Sequence, residues 1–269
     1  MPPEKLANAP DHVNVIQLTD SHLFADDEAR LLGLDTYASL NAVIDSVLAE
    51  HASIDLVLAT GDIAQVASES AYQRFMSSIE RLATPWYWLP GNHDDAELMS
   101  RLGSEGGFSA PWVDAGNWRL VMLDSSVSGS VAGYLSEEQL LRLEQALDTT
   151  RHVLVCLHHH PVPIGVAWMD PIGLRNASAL LDRLESSPAV RGVLWGHVHQ
   201  EIDSQRGNIR LLATPSTCIQ FAPGVTDFTT DQRQPGYRWL RLHTNGRIET
   251  GVSRLAQGSF QADRNATGY

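Results

Sequence analysis

The sequence predicts an α/β fold with two sheets, and three observations carry that prediction. Short apolar runs alternate with segments of helical period from residue 13 onward, turn residues punctuate them, and a hairpin signal stands near the C-terminal end. The strand candidates are VNVIQL (13–18), IDLVLA (54–59), WYWL (86–89), WRLVML (118–123), HVLVCL (152–157) and RGVLW (191–195). Each is short and rich in β-branched or aromatic side chains. Between them, Leu40, Val43, Ile44, Val47 and Leu48 share one predicted helix face, and Tyr72, Phe75, Met76, Ile79 and Leu82 share another. A third helix is expected to start at Ser136, where Ser136 and Gln139 have the spacing of a capping box ahead of Leu140, Leu143 and Leu147. Beyond residue 200 the runs NIRLLAT (208–214), GYRWLRLH (236–243) and RIETGVSRL (247–255) follow, with Asn245-Gly246 between the last two. These runs are expected to build the second sheet, packed on the first. Residues 222–236 read as a surface loop and the tail after Ala256 receives no structure.

Size and composition fit one domain over residues 1–269, since 43% hydrophobic residues allow a large single core. No stretch approaches the roughly 18 apolar residues of a membrane span, and the N-terminal residues lack the pattern of a cleaved leader. Two cysteines are too few for a disulfide framework, so a cytoplasmic protein is expected. A net charge of −13 and a single lysine, Lys5, leave no basic stripe for a nucleic-acid backbone. Neither nucleic acid nor membrane is an expected partner. A small anion remains compatible if metal ions supply the attraction locally.

The chemistry gathers at the strand ends. Asp20 and His22 follow the first strand, Gly61-Asp62 the second, and Gly91-Asn92-His93-Asp94 the third. His158-His159-His160 follow HVLVCL, and Gly196-His197-Val198-His199 follow RGVLW. Ligands in open α/β sheets collect beyond the carboxyl ends of strands, so these clusters can converge. An extended backbone would point Asp20 and His22, and likewise His197 and His199, to one side. Glycines 61, 91 and 196 allow close backbone approach. Carboxylate, imidazole and amide donors without thiolate suit borderline ions, Mn, Fe or Zn, in a catalytic site. Taken singly, each short cluster is ordinarily turn chemistry or helix capping. Jointly, seven donors in this order at strand ends exceed what independent turns supply.

In these residues the chain resembles the calcineurin-like metallophosphoesterases, whose blocks read Asp-x-His, Gly-Asp, Gly-Asn-His-Asp/Glu, His and Gly-His-x-His. All are present between residues 20 and 199. The longer stretches QLTDSHLFAD, LATGDIAQ, WLPGNHDD, LHHHPVPIG, LRNASALL, WGHVHQE and LLATPSTCIQF resemble the bacterial class III 3′,5′-cyclic-nucleotide phosphodiesterases within that family. The resemblance implies a four-layer α/β/β/α sandwich and two divalent ions, with Fe or Mn favoured. Asp20, His22 and His199 would hold one ion, Asn92, His158 and His197 the other, and Asp62 would bridge both. His22, Asn92, His93 and His199 would meet the substrate, and His93 would assist the leaving group. Asp94 would orient a neighbour or form a turn.

The implied reaction is hydrolysis of cyclic AMP, and of other cyclic nucleotides, to the 5′-monophosphate by a metal-bridging hydroxide. Two divalent ions would outweigh Asp20, Asp62 and that hydroxide by one charge, matching a diester monoanion. The alternatives are a metallophosphoesterase acting on another small diester or monoester, and an inactive binding module. The second alternative predicts missing ligands. Arg175, Asn176 and Cys218 to Phe221 are candidates for the base pocket, against a simpler reading in which Asn176 caps a helix and Phe221 fills the core.

Overall fold

A computed structural model describes residues 11–263. The chain runs β1 (His12–Leu18), α1 (Thr36–Glu50), β2 (Leu56–Thr60), α2 (Glu69–Ile79), β3 (Trp86–Leu89) and α3 (Ala96–Gly106). It continues through β4 (Trp112–Ala115), β5 (Trp118–Met122), α4 (Glu137–Leu147), β6 (His152–Cys156), α5 (Ala177–Ser186) and β7 (Val190–Trp195). The last strands are β8 (Ile202–Arg206), β9 (Ile209–Ala213), β10 (Gln220–Phe221), β11 (Thr230–Asp231), β12 (Gly236–His243) and β13 (Ile248–Arg254).

Two mixed sheets form, ordered β13-β12-β1-β2-β3 and β4-β5-β6-β7-β9-β8. Period-two alternation sends Val15, Leu56, Leu58, Leu154, Cys156 and Leu194 into the layer between the sheets. Their neighbours Ile16, Leu18, Val57 and Ala59 face α1 and α2, whereas Val153, Val155 and Val193 face α4 and α5. The result is a four-layer α/β/β/α sandwich.

Two sequence expectations need correction. The C-terminal runs do not make the second sheet by themselves. Only NIRLLAT joins it, as β9 beside β7, while β12 and β13 return to the first sheet through antiparallel pairing of β12 with β1. Strand propensity reports that a segment pairs, not with which strand, so sheet membership was not legible. Leu48 is 45% exposed, because the buried stripe of α1 runs through Leu40, Val43, Ile44 and Val47 and the next residue turns about 100° away from it. The capping box is half formed: the Ser136 hydroxyl accepts from Gln139 N, but the Gln139 side chain accepts from Asp124 N instead of reaching back. The 222–236 segment is a loop interrupted by the two-residue strand β11, paired with β10.

Candidate metal centre

The strand-end segments after β1 and β2 continue side by side past the sheet. Asp20 N donates to Gly61 O at 3.0 Å, His22 N to Asp62 O at 3.0 Å, and Leu23 N to Ile63 O at 2.9 Å. This pairing is not extended. Asp20, His22, Asp62, His197 and His199 all have φ between 47° and 67°, five of the seven non-glycine residues with positive φ among those described. The i, i+2 pairs therefore converge through left-handed backbone, which corrects the extended reading of those spacings. Asp and His are among the residues that tolerate this region better than most, yet each such residue costs of order 1–3 kcal/mol. The close approach expected of the glycines holds at all three: a Cβ on Gly61 would lie 2.5 Å from His158 Nδ1, one on Gly91 2.1 Å from Asp62 Oδ1, and one on Gly196 2.1 Å from Thr19 Oγ1.

Asp20, His22 and His199 bring one donor atom each within 4.8 Å of one another, and so do Asp20, Asp62 and His158. His199 Nε2 lies 3.2 Å from Asp20 Oδ1 and 3.2 Å from His22 Nε2. Asp62 Oδ2 sits 3.2 Å from His158 Nε2 and 3.8 Å from His22 Nε2. Its geometry is that of a carboxylate shared between two groups of donors. His197 joins His158 and His159 in a further cluster. All these side chains are buried; Asn92 and His93 are half-buried.

The hydrogen bonds leave donor atoms available. His158 Nδ1–H donates to Thr60 O at 2.8 Å and His199 Nδ1–H to Ile219 O at 2.8 Å, which turns each Nε2 toward the carboxylates of Asp62 and Asp20. His197 Nε2–H meets Ile172 O at 3.2 Å, leaving Nδ1. Asn92 Oδ1 is buried without a hydrogen-bond partner, as a ligand atom awaiting a cation would be, and His158 Nε2 faces the Asp62 carboxylate at 3.2 Å. His159 differs: Ser125 Oγ at 2.8 Å and Val131 O at 3.0 Å occupy both ring nitrogens, so it supports its neighbours instead of ligating.

Charge follows the same plan. Burial would raise the Asp20 carboxyl, but His199 and His158 outweigh it and hold the group below its usual range. At Asp62 burial is overcome by His158, His22 and His93, and the group falls well below that range. His158 is the exception: its burial is more than offset by Asp62 and Asp20, which raise it to about 9, so without a cation its Nε2 carries a proton toward Asp62 Oδ2, which an ion would displace. Burial pushes His22 down to about 3 despite Asp62, with His93 and His199 adding repulsion. Burial also keeps His197 well below its ordinary value, with His159 and His158 adding to it. Neutral imidazole and ionised carboxylate are the metal-binding forms.

His93 N donates to Asp62 Oδ1 at 2.9 Å, and its Nδ1–H meets Gln65 O at 3.1 Å. Asp94 resolves to turn organisation. Its carboxylate accepts from Gly91 N, Ile63 N, Ala64 N and the Tyr72 hydroxyl, knitting the second and third strand-end loops together. Burial and the nearby Asp62 charge raise its pKa to about 6. Asn176 stands at the start of α5 without capping it; its amide instead bonds Leu135 N and O at 3.0 and 2.9 Å. Arg175 is exposed and bonds Ser130 Oγ. Phe221 does fill the core, and it also lies flat on His199, ring centroids 4.1 Å apart and planes at 7°.

Sequence reasoning missed the polar network beneath the cluster. Buried Gln17 donates to Thr60 Oγ1 at 2.7 Å and to Trp195 O at 3.2 Å, and accepts from Thr214 Oγ1. It thereby ties the strands that deliver Asp20, Asp62 and His197. The signal was a glutamine at an inward position of β1, in register with Val15.

A four-layer sandwich with clustered carboxylate, imidazole and amide donors at the carboxyl ends of its central strands defines a metal-dependent hydrolase scaffold. The chain belongs to the calcineurin-like phosphoesterase family, whose model matches residues 13–201. That family uses a dinuclear divalent-metal site. The chain is 54% identical to the 3′,5′-cyclic adenosine monophosphate phosphodiesterase CpdA of Pseudomonas aeruginosa over 259 residues, covering 96% of this chain and 95% of that one. It is 44% identical to the protein of the same name from Vibrio vulnificus, with the same coverage of each chain. Among solved structures, a dimetal phosphatase from Danio rerio shares the fold at TM-score 0.62 and 19% identity, covering 91% of this chain and 99% of that one.

Proposed function

We propose that the chain is a metal-dependent phosphodiesterase that hydrolyses 3′,5′-cyclic AMP to the 5′-monophosphate. The observation that carries this reading is full-length likeness, 54% over 96% of the chain, to an enzyme named for that substrate. The donor cluster supports it independently, because every expected ligand is present.

Asp20, His22 and His199 would hold one divalent ion, Asn92, His158 and His197 the other, with Asp62 between them. Fe or Mn suits this nitrogen and oxygen set, with Zn as the alternative. When bound, such ions neutralise phosphoryl oxygens and generate a nucleophile from water at neutral pH. The protein supplies orientation and proton handling. Thr60 O and Ile219 O fix which nitrogens of His158 and His199 face the ions. His93 is held by Gln65 O and by Asp62, with its ring edge-on to His22 at 4.9 Å. From there it donates a proton to the departing 3′ oxygen.

We treat residues 1–269 as one catalytic domain, since β12 and β13 complete the sheet that carries Asp20 and Asp62. Among the described residues no helix is long and apolar enough to cross a membrane. Cys156 and Cys218 are free thiols, as a reducing cytoplasm would keep them. Metal analysis of the purified chain, followed by chromatography of a cyclic AMP digest, tests the reading. AMP as sole early product is expected. Adenosine as the early product would indicate a phosphomonoesterase, and an inert metal-loaded enzyme would move the assignment to another small phosphoester.

A further inference from the structure

Six large apolar side chains are exposed among the described residues: Leu48, Val66, Val131, Tyr134, Leu141 and Phe228. Four of them stand on loops that contact the surroundings of the metal cluster. Val66 follows Gln65, whose carbonyl meets His93, and the Val131 carbonyl meets His159. Tyr134 N bonds Ser125 O, and the Ser125 hydroxyl bonds His159. Phe228 is reached from His199 through Phe221, 5.4 Å away and inclined at 68°. A charged site that handles phosphate has no need of apolar side chains around it. A substrate with a flat apolar part does.

Only Phe228 of these four is a ring built into a larger aromatic cluster. Trp168 packs edge-to-face on it at 5.2 Å and on Phe221 at 5.1 Å. The Trp168 indole N–H is buried without an acceptor, so ring area is what this residue supplies. The backbone keeps the cluster in register with the metal ligands. Ala222 N donates to Thr229 O at 2.8 Å, closing the loop that carries Phe228, and Ala167 N donates to Val225 O at 3.2 Å, tying it to the Trp168 loop. Gln200, next to His199, donates to Ala222 O at 3.4 Å.

We propose that Phe228, backed by Trp168 and Phe221, is the wall against which the purine of the cyclic nucleotide stacks while its phosphate occupies the metal centre. This rests on the cyclic-nucleotide reading and adds to it the surface that recognises the base. Stacking is tolerant of base identity because every base has a π-face, so the wall selects nucleotides over simple phosphodiesters more than adenine over guanine.

Steady-state kinetics of the metal-loaded full chain test the wall on two substrates, cyclic AMP and the 3′,5′-cyclic phosphate of 1-deoxyribose, which lacks a base. Phe228→Ala should raise KM for cyclic AMP roughly tenfold, as loss of one aromatic–base stack does, with kcat nearly unchanged and the base-free substrate unaffected. Phe228→Leu, which keeps bulk but not the π-face, should behave like Ala, and Phe228→Tyr like the parent. Leu141→Ala on α4 is the control for an exposed apolar residue away from the site, and should change neither. Equal effects on both substrates, or none on cyclic AMP, would overturn the wall while leaving the enzyme reading standing. An unmodified chain that turns over neither substrate would remove both.

Discussion

The two ends of the sandwich use the same unusual backbone for different purposes. At the end opposite the metal cluster, the turns joining β4 to β5, β8 to β9 and β12 to β13 place Gly116, Gly207 and Gly246 at φ 54°, 57° and 87°. Glycine occupies such positions at little steric cost. At the cluster end Gly61 (φ 93°) is joined in positive φ by Asp20, His22, Asp62, His197 and His199. The same conformation is there imposed on side chains that resist it. Strain accompanies the donor residues, while the three hairpin turns use glycine; Ala83 at φ 49°, before β3, is the non-glycine exception at the turn end. The surrounding hydrogen bonds hold the strained residues in place: the Asp20 carboxylate accepts from His197 N and from Thr19 Oγ1, and its carbonyl accepts from Ser216 Oγ.

The largest effect that would sharpen this contrast is expected at Asp62. Its carboxylate lies between the two donor groups and also accepts from His93 N. Asp62→Ala should lose both ions and reduce kcat by more than the ~10²–10⁴ of removing a general acid. Metal content by mass spectrometry and turnover of cyclic AMP check it. Near-normal rates with two ions bound would show that Asp62 is not shared.

A smaller loss is expected at His93. His93→Ala should retain both ions and lower kcat by ~10²–10⁴, because only the proton to the leaving oxygen is withdrawn. A substrate with a better leaving group should recover most of that loss. Equal damage on good and poor leaving groups would leave His93 as a phosphate contact only.

The cluster end was legible in sequence because its residue types are chemically unusual at strand ends. Asp20, His22, Asp62, His158, His197 and His199 were all singled out that way, and the structure brings their donor atoms together in overlapping clusters. What the sequence did not show was how they converge. An i, i+2 spacing looks alike whether the backbone is extended or left-handed, and Asp and His tolerate positive φ without requiring it. Gln17 was hidden for a related reason, since a polar residue at an inward strand position does not name its partners. Sheet membership failed at β12 and β13, because the pairing of β12 with β1 joins residues more than 200 positions apart. The aromatic pair Trp168 and Phe228 lies in loops, where no periodicity marks it.

The strain itself can be measured by comparing glycine and alanine at matched positions. At His197, φ 67°, His197→Gly should give a metal-free protein about 1 kcal/mol more stable than His197→Ala, since only alanine meets the left-handed penalty. At the other end Gly246→Ala should destabilise by a similar ~1–2 kcal/mol, its new Cβ falling 2.7 Å from Arg191 Nε. Chemical denaturation of the metal-free variants reads both. Equal stability of the two His197 variants would mean that this position is not strained.

The smallest effect belongs to the charges of the turn end, which face solvent where the cluster is buried. Asp114 on β4 receives Arg119 Nε at 2.8 Å and Arg119 Nη2 at 2.9 Å, and Arg151 Nε stands 3.2 Å away. The Arg119 hydrogen bonds hold its carboxyl below the ordinary 3.8, against a small opposing effect of burial, with the charges of Arg119 and Arg151 helping. A depressed folded-state pKa stabilises the fold above 3.8 and loses that contribution as pH falls through the lower folded value. One-third exposure limits the pair to the ~0.2–1 kcal/mol of surface ion pairs. Asp114→Asn should therefore lower Tm slightly at pH 7, and the difference from the parent should shrink as the pH drops below 4. Salt should shrink it as well, since exposed charges are screened. A gap that stayed constant with pH and salt would assign the effect to packing of the side chain, and the turn end would then resemble the buried cluster more than its solvent exposure implies.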